Sequence, residues 1–121
     1  MKLGKRVWVV ADGDLPPHPA GVEEPKAHEA LMVVNNNDSA ATLRITLLFE
    51  NSEPKTDLRL TIPARRVNCF RMDQPVWGDD YVIPFGQYAV VVESDLPVVA
   101  VFGRLDRRKD VAYYPVAPYS Q

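Results

Sequence analysis

Apolar and polar residues alternate with a period of two along several short stretches of the chain, which predicts half-buried β-strands. Leu43, Ile45, Leu47 and Phe49 alternate with Thr42, Arg44, Thr46 and Leu48, and Leu58, Leu60 and Ile62 alternate with Asp57, Arg59 and Thr61. Turn chemistry at Asn51 to Pro54 separates these two runs and predicts a hairpin. Upstream, Leu31 to Val34 precedes Asn35-Asn36-Asn37-Asp38, whose side chains favour tight turns. The expectation there is a second hairpin onto Thr42 to Phe49. After Pro63-Ala64, Val67, Cys69 and Arg71 fall on one face of a more polar strand and Arg66, Asn68 and Phe70 on the other. A lone cysteine in such a strand is expected to be a small buried hydrophobe.

Two runs are apolar on both faces, Tyr88 to Val92 and Val98 to Phe102, with Ser94-Asp95-Leu96-Pro97 between them. They read as a third hairpin with both faces covered, either as a central strand pair or by another subunit. Val7 to Val10, which contains Trp8, and Val111 to Val116 complete about eight short strands. Eleven prolines cut the chain and leave little room for long helices. The fold class expected is all-β, an antiparallel β-sandwich of jelly-roll-like form, with residues 1–121 as one domain. Asp12 to Pro25 is expected to be a surface loop.

At 46% hydrophobic and 25% charged, the composition excludes a disordered chain, and a net charge of −2 supplies no overall field for nucleic acid or an anionic membrane. One cysteine permits no internal disulfide, and no Cys/His spacing suits zinc. The apolar run after Met1-Lys2-Leu3-Gly4-Lys5-Arg6 ends at Ala11, too early for a signal core, so the expected location is the cytoplasm. The Asn37-Asp38-Ser39 sequon is then a chance match.

Candidate chemistry is sparse. Asp12 and Asp14 lack the ligand ladder of a calcium loop, and neighbours on a strand point to opposite faces, so His28 and Glu29 cannot both enter one pocket. With two histidines, no activated nucleophile and no glycine-rich phosphate loop, neither a catalytic residue, a metal nor a cofactor is expected. The arginines are more informative. Arg65-Arg66, and Arg104 with Asp106, Arg107 and Arg108, form clusters suited to carboxylate or phosphate, although Arg104 follows an apolar run and Asp106 is at hand as an internal partner. Trp77, beside Gly78-Asp79-Asp80, is expected in a loop, where an exposed ring stacks on a sugar or covers a neighbouring subunit.

Gly4, Trp8, Gly13, Pro16-Pro17, His28-Glu29, Asn35, Leu60-Thr61-Ile62-Pro63-Ala64-Arg65-Arg66, Ser94, Pro97 and Arg104-Leu105-Asp106 with Arg108 together resemble the soluble sensory rhodopsin transducer family. The resemblance implies a cytoplasmic all-β homotetramer that, in the photosensory member, couples a membrane rhodopsin to downstream signalling. It also implies a fold similar to carbohydrate-binding sandwiches and brings in DNA as a suggested ligand. The functional expectation is a non-enzymatic signalling or binding protein. The alternatives are a carbohydrate-binding module and, behind it, a glycan-processing enzyme with two facing carboxylates. Arg65, Arg66, Arg104, Asp106, Arg108, Glu29, His28 and Trp77 are the candidate partner- or ligand-binding residues. Arg65, Arg66, Arg104, Asp106 and Glu29 are expected to share one polar constellation, with at most one of Arg65 and Arg66 buried.

Overall fold

Alternation produces strands throughout the computed structural model, which describes residues 2–17, 27–106 and 111–121. In chain order they are β1 (Lys5–Leu15), β2 (His28–Asn35), β3 (Ala41–Phe49), β4 (Lys55–Ile62), β5 (Arg66–Arg71), β6 (Gly86–Asp106), β7 (Ala112–Val116) and β8 (Tyr119–Ser120). All the pairings are antiparallel. No helix occurs among the described residues, so none is long and apolar enough to cross a membrane. The fold is all-β and sandwich-like, as the alternation predicts.

One strand organises the rest. The runs expected to form a hairpin are two halves of β6, which is 21 residues long. Residues 88–93 lie between β3 and β1, residues 99–105 pair with β2, and residues 102–105 lie between β2 and β7. One sheet has the order β4-β3-β6-β1-β8, and the other is built from β5, β2, the second half of β6, and β7. Pro97 sits where the strand changes neighbours, so its missing N–H interrupts no ladder. Strands that switch sheets through a bend make the corners of such sandwiches.

The expected pairing of Leu31–Val34 with β3 is likewise corrected. β2 pairs with β5 and β6, while β3 pairs with β4 and β6. The asparagine-rich turn carries the chain from one sheet to the other. Buried Asn35 holds this crossing: its Nδ2 donates to the carbonyls of Ser39, Ile62 and Pro63, and its Oδ1 accepts from the backbone N–H and Nδ2 of Asn37. Asn37 in turn donates to the carbonyl of Pro97 at 2.8 Å. The β3–β4 hairpin stands as expected.

Both sheets contribute to the core, with Leu31 and Val33 packed among Leu43, Ile45, Leu60, Val90 and Val92. Met72, Trp77 and Ile83, from the segment after β5, are buried in the same cluster. Strand β1 continues to Leu15 through residues expected to be loop; Pro16 and Pro17 follow it without regular structure, and residues 18–25 of that expected loop lie outside the described residues. Trp8 packs against the core and donates from its indole to the carbonyls of Lys5 and Val98.

The turn between β4 and β5 sets Arg65 at φ 57°, a left-handed conformation that costs an L-residue about 1 kcal/mol. Its side chain reaches Asp38 at 3.1 Å and Asn36 at 2.8 Å in an exposed setting, where such contacts contribute less than about 1 kcal/mol. Arg65→Gly is therefore expected to be about 1 kcal/mol more stable than Arg65→Ala. Chemical denaturation of the two variants checks this, and an alanine variant as stable as the glycine one would contradict it.

Candidate functional site

At the end of the sandwich where β2 begins, three strands, β1, β2 and β6, meet at the carboxylate of Glu29. Alternation sends Glu29 inward and leaves it 1% exposed. A bare carboxylate there would be very costly, so every element around it supplies a donor. The Tyr88 hydroxyl of β6 donates to Oε1 at 2.7 Å, and the Asp14 backbone N–H of β1 donates to both oxygens, at 2.9 and 3.1 Å. Arg104, paired across the ladder from Glu29, donates from Nε to Oε2 at 2.8 Å.

A register shift in β1 between Val10 and Gly13 places Asp12 against the other side of the same guanidinium. Arg104 Nη2 donates to the Asp12 carbonyl at 2.6 Å and pairs with its carboxylate at 3.2 Å, while Nη1 donates to the Tyr114 hydroxyl at 3.3 Å. The Arg104 guanidinium also lies 5.8 Å from the centroid of the Tyr114 ring. Gly13 completes the arrangement, because a Cβ there would stand 2.5 Å from the Tyr88 ring and push the phenol off Glu29.

The charges follow this geometry. Burial alone would lower the Arg104 pKa, but its hydrogen bonds to Tyr114, Glu29 and Asp12 and the charge of Glu29 outweigh it and raise the pKa. Burial, reinforced by the Glu29 charge, pushes the Tyr88 phenol far above its usual range. Nearby, burial would raise the Asp73 carboxyl, but its paired hydrogen bonds to Arg71 at 2.8 and 2.7 Å hold it below the ordinary value. This centre binds one end of the sandwich together. The Glu29 oxygens are fully hydrogen-bonded and sealed from solvent, so no substrate atom can reach them.

The expected single constellation is therefore divided. Glu29 and Arg104 pair as an internal network, with Glu29 and Asp12 serving where the sequence offered Asp106. Arg66 is across the ladder from Asn35, six residues along β2 from Glu29, and six residues of strand span roughly 20 Å. Arg65 and Arg66 are both exposed, so neither joins a buried network. The turn at 63–65 consumes the alternation that would have separated them. Half-buried His28 starts β2 on the face opposite Glu29, and half-buried Asp106 ends β6. Arg108 lies outside the described residues.

Trp77 is only 8% exposed and belongs to the core, so its ring offers no face to a sugar. Val82 and Phe85, at 46% and 66% exposed, are the outward apolar groups of that loop. A shallow cleft of about 160 Å³ beside Leu48, Phe49, Gln87 and Ala89 is well below the roughly 300 Å³ or more of small-molecule sites. Cys69 is exposed, contrary to expectation, because β5 turns Val67, Cys69 and Arg71 outward. The sequence reading missed Tyr88 and Asp12, whose roles depend on the long β6 and the shift in β1.

Residues 3–119 match the profile of the family described as the Anabaena sensory rhodopsin transducer. The chain belongs to this family. A solved structure of the Anabaena sensory rhodopsin transducer is 34% identical, with a TM-score of 0.77 over 89% of this chain and 94% of that one. The crystal structure of Thermotoga maritima 1070 is 29% identical, with a TM-score of 0.81 over 98% and 96%. No match was found among curated proteins.

Arg104→Ala is expected to cost about 3–5 kcal/mol, because it strands the buried Glu29 charge, whereas Arg66→Ala should cost less than about 1 kcal/mol. Urea unfolding compares them, and equal losses would refute the division between buried and exposed arginines. Tyr88 has a raised folded pKa, so its contribution is complete below the unfolded tyrosine value near 10 and declines as the pH rises above it. Melting temperatures above about pH 10 should fall less steeply for Tyr88→Phe than for the wild type. An identical alkaline slope would contradict that coupling.

Proposed function

We propose that the protein is a non-enzymatic cytoplasmic signalling protein that works as a homo-oligomer and couples a receptor signal to a downstream partner. The family supports the signalling role, and the number four for the assembly comes from the resemblance. The observation that carries the reading is the division of labour between interior and surface. The strongest polar cluster, around Glu29, is fully occupied in holding strands together. The groups left for recognition are exposed apolar ones, among them Val82 and Phe85 beside exposed Asp79 and Asp80. An exposed aromatic side chain is the kind of group that anchors a protein partner.

Calorimetric titration against a microbial sensory rhodopsin in lipid nanodiscs, and separately against mono- and disaccharides, tests the proposal. Saturable receptor binding is expected, weakened at least tenfold by Phe85→Ala, with no heat from the sugars. Saturable sugar binding, or glycoside turnover abolished by Glu29→Gln, would replace this reading with one of the carbohydrate alternatives.

A further inference from the structure

The end of the first sheet where β3 finishes and β6 starts carries exposed apolar groups beside a set of carboxylates. Leu48, Val82 and Phe85 are 41%, 46% and 66% exposed. Leu48 lies across the ladder from Ala89, and the shallow cleft of about 160 Å³ beside them is completed by Glu50 and Gln87. Phe85 stands two residues before Gln87. Lys55, 4.7 Å over the Tyr81 ring, ties the loop that holds Val82 to the first residue of β4. Carboxylates flank this patch on three elements: Asp14 across from Gln87 on β1, Glu50 and Glu53 in the β3–β4 turn, and Asp79 and Asp80 next to Tyr81. All five are exposed, and among the described residues none of them has an ion-pair partner.

From this juxtaposition we infer that the patch is the docking surface for a Lys/Arg-rich segment of the receptor, with one apolar side chain of that segment seated in the cleft and another packed on Phe85. This rests on the reading of the protein as the signalling partner of a receptor and names the surface and the chemistry of that contact.

Charge and shape select the occupant. An exposed apolar patch rimmed by polar groups marks an interaction site. A cavity of roughly 150 Å³ holds a benzene ring, so the cleft takes one side chain, while small-molecule sites start at about 300 Å³. Five carboxylates attract a cationic segment and repel both the anionic lipids of a bilayer surface and the phosphates of nucleic acid. Two copies of the chain facing each other through this patch would bring like charges together. The cytoplasmic loops of membrane proteins, by contrast, carry an excess of Lys and Arg close to the membrane. A surface drawn to those loops and repelled by the lipid around them engages the receptor and stays off bare membrane.

Calorimetric titration of the full chain against a microbial sensory rhodopsin in phosphatidylcholine nanodiscs tests the inference, alongside fluorescence anisotropy of a labelled Lys/Leu peptide. Binding is expected to weaken at least tenfold from low to high ionic strength, because the contact is between exposed charges. Glu50→Lys combined with Asp80→Lys should weaken it at least tenfold, whereas Asp38→Lys, a charge reversal beyond the other end of β3, should change it less than twofold. Asp79 is left intact in these variants because its carboxylate accepts the Tyr81 backbone N–H at 2.9 Å. If the double variant loses its β-sheet signal, Leu48→Ser replaces it. Receptor binding that survives these substitutions and high salt would overturn this surface and leave the signalling reading in place. Peptide binding with no receptor binding would overturn the receptor as occupant and the signalling reading with it, and failure of both to bind would overturn the surface as well. Binding of the wild type to phosphatidylserine vesicles would make the patch a membrane surface instead.

Discussion

Strand β6 runs unbroken from Gly86 to Asp106, and most of the structure follows from that one constraint. Even-numbered residues are the buried ones from Tyr88 to Ser94 and again from Val98 to Phe102, although the strand changes sheets midway. A shift of one residue would move Arg104 to the surface and Val101 to the core. The parity of a single strand therefore decides which arginine meets Glu29 and which valines remain outside.

Two buried polar groups fix the ends of this arrangement. Glu29 gathers β1, β2 and β6, with β7 reached through Arg104 and Tyr114, and Asn35 gathers the crossing from β2 to β3 together with the end of β4. An apolar core tolerates several registers, whereas a buried carboxylate with donors from separate strands tolerates only the one that satisfies it. The same property removes Glu29 from the list of reactive groups. The carboxylates of Asp12 and Glu29 converge on one guanidinium, a geometry that serves cohesion and leaves the buried Glu29 oxygens fully hydrogen-bonded.

Strand positions were legible in the sequence because period-two alternation is local, and Leu43 to Phe49 and Leu58 to Ile62 pair as the pattern implies. Pairing partners were less legible, because alternation marks a strand without naming its neighbour. Ser94 to Pro97 has the composition of a turn, but Glu93 and Asp95 are exposed while Ser94 is buried, so the alternation passes straight through it. That parity was the available signal for one long strand. Arg104 was legible as an internal group from the apolar run before it, while its partners were not, since Asp12 reaches it only through the shift in β1. The doubly apolar character of residues 88–102 held real information: each half is a central strand.

The two buried polar groups, rather than the apolar packing between them, make this register the one the chain adopts. The most direct measurement is hydrogen exchange of the Asp14 backbone amide in the native protein and in Glu29→Gln. The account predicts that this N–H, held by both Glu29 oxygens, exchanges slowly in the wild type and at least tenfold faster in the variant. An Asp14 amide that exchanges at the same rate in both would contradict it.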